Sequence, residues 1–358
     1  MSSSLRISAF DGLRCIAVGL VCASHAVGAY LPEVRQILWL LPFINASLGV
    51  RLFFVLSGFL ITSLLIREQS VRGRIDWKAF IIRRSLRIWP ALYAYILIIL
   101  VWSALGVYTI NASQFVSALS LTWNYASFWI PKGINDGTWL FGHLWTLALE
   151  QQFYIAWPFL IAFSGWKNAS RLAIVAPLTL PVIRIALYYC FPDTRSQLGI
   201  MFHTAIDPIL IGCIFALHQA KLRTYLARQA WLIPAVLIFA FVISPLLDFY
   251  WRPYNITLAM GLDGFCCGVL ILAIQKPHTF FSRMLVTILT FPLITSVGIV
   301  SYSLYLWQQP FLVRLNSSIA LSLCISICAT VIFTLASFYL VERPMLRAKD
   351  FFSRSSLS

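Results

Sequence analysis

Apolar runs of about 20 residues recur along the whole chain, and they constrain it more than any other feature. A hydrocarbon core about 30 Å thick is crossed by about 20 residues of α-helix rising 1.5 Å each. Ten stretches fit: 9–31, 47–66, 88–107, 142–164, 171–191, 201–219, 230–248, 255–275, 286–308 and 318–341. Hydrophobic residues are 60% of the 358 and charged residues 11%. Soluble domains carry roughly 25% charged residues, so this chain has too few to coat a water-facing surface. The expected fold is an all-α integral membrane protein with about ten transmembrane helices in one bundle.

The formal net charge of +15 would suit a nucleic-acid binder, but Lys and Arg also hold the loops of membrane proteins in the cytoplasm. With the N-terminus inside, the outer loops hold only Arg35, Lys132, Arg195, Arg252 and Arg314. Arg14, Arg51 and Arg184 lie within or at the edges of spans, and the remaining nineteen of 27 fall on cytoplasmic segments. That asymmetry predicts both termini in the cytoplasm, with membrane lipids rather than nucleic acid as the partner. Segment 113–130 is apolar but rich in Ser, Asn and Trp. An eleventh span there would invert everything after it, so it reads as re-entrant or interfacial.

The eight cysteines fall mostly inside apolar runs and form no CxxC pair or zinc pattern, so they read as small core hydrophobes and no metal is expected. The first apolar run contains Arg14 and His25 and no small-residue cleavage site follows it, which predicts a retained span rather than a cleaved signal. No linker or low-complexity tract interrupts the chain, and no internal repeat of the transporter kind is visible. We expect one transmembrane domain over 1–345, a short basic cytoplasmic tail over 346–358, and no fused soluble domain.

An ionisable residue at bilayer depth costs at least about 2.5–3.5 kcal/mol on insertion scales, so each needs a partner or a task. Asp11, Arg14, His25, Arg51, Glu150, Arg184, Asp207 and Asp263 are so placed, with His143 at the outer start of the fourth span. Arg14 and His25 are eleven residues apart, three helical turns plus about 20°, so they share a face and stand roughly 16 Å apart along the axis. Asp11 is within ion-pair reach of Arg14. This layout suits a reaction that crosses the membrane. Arg14, near the cytoplasm, can hold an anionic donor. His25, deeper, can take a proton from an acceptor hydroxyl. A histidine bonded to a neighbouring helix for structural reasons would look the same in isolation.

Glu150 is seven residues beyond His143, nearly on one face with it. Its carboxylate can pair with Arg14 or Arg51, orient His25, or serve a purely structural ion pair. Arg83-Arg84-Ser85-Leu86-Arg87 runs into the third span. Arg84 and Arg87 share a helical face and can grip donor phosphates as paired guanidiniums do; the same run can anchor to anionic lipid. Trp123, Tyr125, Trp129 and Trp139, near outer span ends, suit sugar stacking or interfacial anchoring equally.

Taken together, these residues resemble the acyltransferase-3 family of bacterial membrane proteins along nearly the whole chain. Phe10-Asp11-Gly12-Leu13-Arg14 through Ser24-His25 looks like its first-span signature. Gly49-Val50-Arg51-Leu52-Phe53-Phe54-Val55-Leu56-Ser57-Gly58 is similar to its second-span motif. Arg84-Ser85-Leu86-Arg87-Ile88-Trp89-Pro90 is similar to the motif that opens its third span. Leu144-Trp145-Thr146 through Glu150-Gln151-Gln152-Phe153-Tyr154, Ser301-Tyr302-Ser303-Leu304-Tyr305-Leu306-Trp307-Gln308 and Val341-Glu342-Arg343-Pro344 resemble its later signatures. Each is weak alone; six in order are specific. Two departures stand out. Gln151 replaces the second Glu of a Glu-Glu pair. Gln308 stands where many members have His, which argues against a required proton relay there.

The resemblance implies an O-acyltransferase of the bacterial inner membrane. It would move an acyl group, commonly acetyl, from cytoplasmic acyl-coenzyme A (acetyl-CoA) to a hydroxyl of a cell-surface glycan or lipid-linked saccharide such as O-antigen or exopolysaccharide. His25 would act as base, with Glu150, Arg14 and Asp11 in support, by direct transfer or through an acyl-imidazole. Arg84, Arg87, Arg14 and Ser57 would hold the donor, and Ser57-Gly58 would allow close helix approach. Two other classes fit the buried charges. A transporter exporting a sugar or small molecule would consume no thioester, and a glycan-handling scaffold would show no donor dependence.

Overall fold

The computed structural model describes residues 8–130, 137–313 and 322–347, and among these every regular element is a helix. Arg6, Lys132, Arg314, Lys349, Arg354 and most of the expected tail lie outside the described residues. The α-helices are α1 (Ser8–Tyr30), α2 (Ala46–Arg72), α3 (Trp77–Ala104), α4 (Ala112–Leu119), α5 (Leu144–Cys190), α6 (Phe202–Ala205), α7 (Asp207–Leu217) and α8 (Gln219–Arg228). They continue with α9 (Leu232–Ile238), α10 (Ser244–Tyr250), α11 (Met260–Gln275), α12 (Phe280–Leu289), α13 (Pro292–Ile299), α14 (Ser301–Leu312) and α15 (Leu323–Ser337). Short π-helical segments, Phe239–Ile243, Asn255–Ala259 and Phe338–Glu342, join or extend several of them.

Local chemistry sets the boundaries. Asn45 caps α2 by accepting from the Leu48 amide, and Gly73 ends it in the left-handed conformation at φ 71°, which an L side chain resists. Asp76 caps α3 by accepting from the Ala79 amide. The helix therefore begins eleven residues before its apolar run, and Arg84 and Arg87 ride on it. Gly165, at φ 75° and ψ 165°, interrupts α5, so one long helical stretch holds the two runs expected over 142–164 and 171–191.

Seven helical stretches are long and apolar enough to cross a membrane, or eight when α12 and α13 count as one bent span. The expected single span over 286–308 is corrected to three short helices, with 64° between α12 and α13. Pro292 is the cause: it pushes Phe291 out of helical geometry, to φ −58° and ψ 133°, as a residue before proline prefers. The expected span over 201–219 is likewise replaced by α6 and α7. With 11 residues, α7 is about 16 Å long, half a bilayer. Segment 113–130 forms α4 and a 3₁₀ turn over Trp123–Phe128, neither long enough to cross.

Helix α7 is buried nearly all round, packed against α2, α5 and α11. Its crossing with α2 depends on absent side chains. A Cβ on Gly58 would collide with the Ile209 carbonyl, and one on Gly212 with the Val55 carbonyl. Small residues at such crossings let backbones touch where the bilayer supplies no hydrophobic drive for association.

One buried ion pair ties this half together. Arg184 and Asp207 are fully buried, with Nη1 2.8 Å from an Asp207 oxygen. The same guanidinium donates to the backbone carbonyls of Thr204 (2.6 Å), Thr257 (2.9 Å) and Ile256. It thereby joins α5 to the α6–α7 turn and to the π-helical segment before α11. Removing one partner of a buried pair strands the other charge, at about 3–5 kcal/mol. Arg184→Leu should therefore lower thermal stability in detergent steeply, and Arg184→Leu with Asp207→Leu should recover much of it. A double variant no more stable than the single would show that the pair is not the source of the loss.

Candidate active site: two cavities across one septum

Helix α1 is unbroken from Ser8 to Tyr30, so the shared face expected of Arg14 and His25 is present. The two residues open onto different cavities. One is lined by Arg14, Ser57, Arg84, Arg87, Glu150 and Tyr154, among others. The other is lined by His25, Ser47, Arg51, His143, Asn255 and Gln309, among others. Val50, Phe54 and Tyr305 line both and form the septum between them.

In the Arg-lined cavity, Arg14 Nη1 lies 2.7 Å from Asp11, the helical pair expected from their spacing. Glu150 accepts from the Ser57 hydroxyl (2.7 Å) and from the Tyr154 hydroxyl (3.2 Å). Its hydrogen-bond partners are therefore hydroxyls and not Arg51 or His25. Arg51 pairs instead with Asp263 (2.6 Å) and Asn255 (2.6 Å). The basic run divides by direction. Arg83 turns to Glu68 at 3.2 Å. Arg84 lies over the rings of Phe80 and Tyr154, 5.7 and 5.9 Å from their centroids, a geometry that holds a guanidinium without neutralising it. The cavity thus gathers three arginines around one carboxylate.

In the second cavity, His25 Nδ1 lies 2.7 Å from Gln308 Oε1. The Gln308 amide nitrogen faces the other way, toward the Tyr305 carbonyl and Gln309 Oε1. With its oxygen turned to the ring, Gln308 accepts from Nδ1–H, and the lone pair of the imidazole then resides on Nε2. Gln308 carries no titratable proton, so it orients the ring and relays nothing. The residue read from sequence only as an argument against a relay is the hydrogen-bond partner of His25.

Of the aromatic residues weighed for sugar stacking, Trp123 and Trp139 are buried, packed on Phe141 and Tyr108 respectively. Tyr125 stacks on His203, and the Trp129 indole donates to Ser117. Sequence reasoning assigned no role to Tyr154, Tyr305, Gln308 or Asn255. Tyr154 had a signal, four residues after Glu150 on the same helical face. The others are brought in by tertiary packing from 159 to 283 residues away along the chain, as the Thr146–Tyr305, Arg51–Asn255 and His25–Gln308 separations show.

A helical bundle with apolar crossing helices, arginines in one cavity and an oriented imidazole in the next defines a membrane-embedded protein with a two-ended polar site. Residues 7–342 match the acyltransferase-3 family, described as an acyltransferase domain, and the chain belongs to that family. It is 25% identical to the peptidoglycan O-acetyltransferase OatA of Listeria monocytogenes over 95% of its own length and 56% of that protein's. It is 26% identical to the O-acetyltransferase OatA of Staphylococcus aureus over 88% of its length and 52% of that protein's. The chain thus spans about half the length of these curated relatives. No solved structure matches it.

Proposed function

We propose that this protein is an inner-membrane O-acyltransferase that moves an acetyl group from cytoplasmic acetyl-CoA to a hydroxyl of a cell-envelope glycan. The back-to-back cavities carry the proposal: cations for an anionic donor on one side, a base for a hydroxyl on the other, and one helix spanning both. The relative named for peptidoglycan favours a wall glycan as acceptor over the O-antigen or exopolysaccharide suggested by the sequence resemblance. In this reading the chain crosses the membrane ten times with both termini in the cytoplasm, the Arg-lined cavity faces the cytoplasm and the His-lined cavity faces outward. Residues 144–190, bent at Gly165, supply two crossings, and α7 and the bent α12–α13–α14 series complete two more.

Arg84 and Arg87 grip the phosphates of coenzyme A as paired guanidiniums do, and Arg14, held by Asp11, positions the donor. The pantetheine arm, roughly 15–20 Å long, is comparable to the Arg14–His25 rise of roughly 16 Å. It delivers the thioester past the septum to His25. Nε2 of His25 takes the proton of the acceptor hydroxyl as its oxygen attacks the thioester carbonyl carbon. The new C–O bond forms, the C–S bond breaks, and the proton passes from His25 to the departing thiolate. Ser57 and Tyr154 hold the Glu150 carboxylate among the arginines, where it sets the local charge balance.

Labelled acetyl-CoA added to membranes should label envelope glycan with the wild type and not with His25→Ala, while the variant keeps its fold and its coenzyme A binding. Arg84→Ala and Arg87→Ala should each weaken coenzyme A binding about tenfold or more. Export of a sugar by the wild type with no thioester consumed would overturn the reading in favour of a transporter.

Gln308→Leu leaves Nδ1–H without its acceptor and frees the wrong tautomer, so transfer should fall about 10-fold or more, with Gln308→Glu retaining far more activity. Equal activity in the Leu variant would remove Gln308 from the site. For topology, reporters inserted after Arg74 should be active only in the cytoplasm and those after Arg195 only outside. The reverse pattern would place the Arg-lined cavity on the wrong side for coenzyme A.

A further inference from the structure

The acyltransfer mechanism above leaves the buried imidazole of His143 unused. His143 is 4% exposed and lines the same cavity as His25. Among the described residues, neither of its ring nitrogens has a hydrogen-bond partner. The ring is nevertheless held firmly. It meets Tyr95 edge-on, with centroids 5.4 Å apart at 84°, and lies against Tyr305 at 5.5 Å and 57°. Its backbone carbonyl accepts from Thr146 (2.9 Å) and from the Tyr305 hydroxyl (3.2 Å). The Tyr95 hydroxyl is engaged with the Leu140 carbonyl at 2.6 Å. The Tyr95 hydroxyl is thus engaged with backbone and that of Tyr305 with the His143 carbonyl and Thr146, and neither bonds the imidazole.

A buried polar group without a partner is a cost to the fold unless something else satisfies it. An imidazole fixed by packing, with both nitrogens buried and unpartnered in a cavity wall, is a donor that a ligand reaching that wall can satisfy. Its neighbour Tyr305 is a septum residue, so the ring stands where a thioester crossing between the cavities would emerge. His25 has an acceptor, Gln308, that commits its Nδ1 proton and leaves Nε2 as the base. His143 has no such acceptor, so its N–H is available to the substrate.

We propose that His143 is a second catalytic residue, whose ring N–H donates to the carbonyl oxygen of the transferring acyl group. The inference rests on the acyltransferase reading. As the acceptor oxygen adds to the thioester carbon, the carbonyl π-electron pair moves onto oxygen, and His143 stabilises that oxyanion. When the C–S bond breaks the pair returns to re-form the carbonyl, and His143 keeps its proton throughout. A donor fixed before the reaction loses nothing to reorganisation as charge develops.

The test is His143→Phe, which keeps a ring between Tyr95 and Tyr305 and removes both nitrogens. The expected result is a kcat lower by about 10²–10³-fold, the usual loss for one oxyanion donor, with KM for acetyl-CoA within about twofold of wild type. Because an unpartnered polar group has been replaced by an apolar one, the variant should melt in detergent at or above the wild-type temperature. His143→Gln, which restores an N–H donor, should regain about tenfold or more of the lost kcat. A His143→Phe enzyme with wild-type kcat, or one whose loss tracks a fall in melting temperature that Gln also shows, would overturn the inference and leave the acyltransferase intact. A wild-type protein that consumes no acyl-CoA with any glycan acceptor would overturn both.

Discussion

The site depends on one constraint: α1 runs unbroken from Ser8 to Tyr30. Eleven residues of α-helix set the Arg14–His25 separation at roughly 16 Å and keep both side chains on one face. A one-residue insertion between them would leave the two side chains about 120° apart around the helix. The septum residues Val50 and Phe54 on α2, and Tyr305 on α14, then need only fill the space beside that face for two cavities to exist back to back. Close crossings hold the frame still. Gly58 and Gly212 let α2 and α7 touch, and Gly298 lies where a Cβ would strike the Asp11 carbonyl of α1.

Within that frame each intramembrane charge is met by a group from elsewhere in the chain. Arg51 meets Asp263 and Asn255, and Arg184 meets Asp207 with three carbonyls. Glu342 accepts from Ser303 at 2.7 Å. Two of these groups sit on π-helical segments, Asn255 at the start of one and Glu342 at the end of another. A π-helical turn shifts the register of side chains on a helix, and such turns recur at functional positions in helices generally. The cost of burying charge is offset locally, and in the first cavity Arg14 is met by Asp11 on its own helix. Arg14, Arg84 and Arg87 share their cavity with one carboxylate lining it, so the cations outnumber the anion there.

The sequence was legible where chemistry is local. Length and hydropathy gave the helical class and most crossing segments, the i,i+3 rule gave Asp11–Arg14, and the Arg84–Arg87 spacing put both guanidiniums on one cavity wall. It failed where tertiary context decides. Hydropathy cannot tell a full-length lipid-facing helix from the short α7, which is apolar because protein surrounds it. Nor does an apolar window register the break at Pro292 inside 286–308. The partners of Glu150 and His25 come from other helices, so no spacing rule reaches them. The departure at Gln308 was visible, but its meaning required seeing which way the amide faces.

The septum carries the last step of the argument. Val50, Phe54 and Tyr305 are apolar or have committed their polar atom, since the Tyr305 hydroxyl is within bonding distance of Thr146 and the His143 carbonyl. Such a wall offers hydrated ions no partner to replace lost water, whereas the thioester arm of the proposed donor needs none. A transporter must let its whole cargo through this plane. A transferase needs only the acyl carbon to reach it, with the charged nucleotide end left among the arginines and the acceptor left beside His25. Division of charge across an apolar partition serves the second task and hinders the first, because Arg14, Arg84 and Arg87 line one cavity while Arg51, which lines the other, is committed to Asp263. The same apolar setting strengthens every hydrogen bond made at the junction, so a single oriented imidazole there exerts more influence on a developing oxyanion than it would in water.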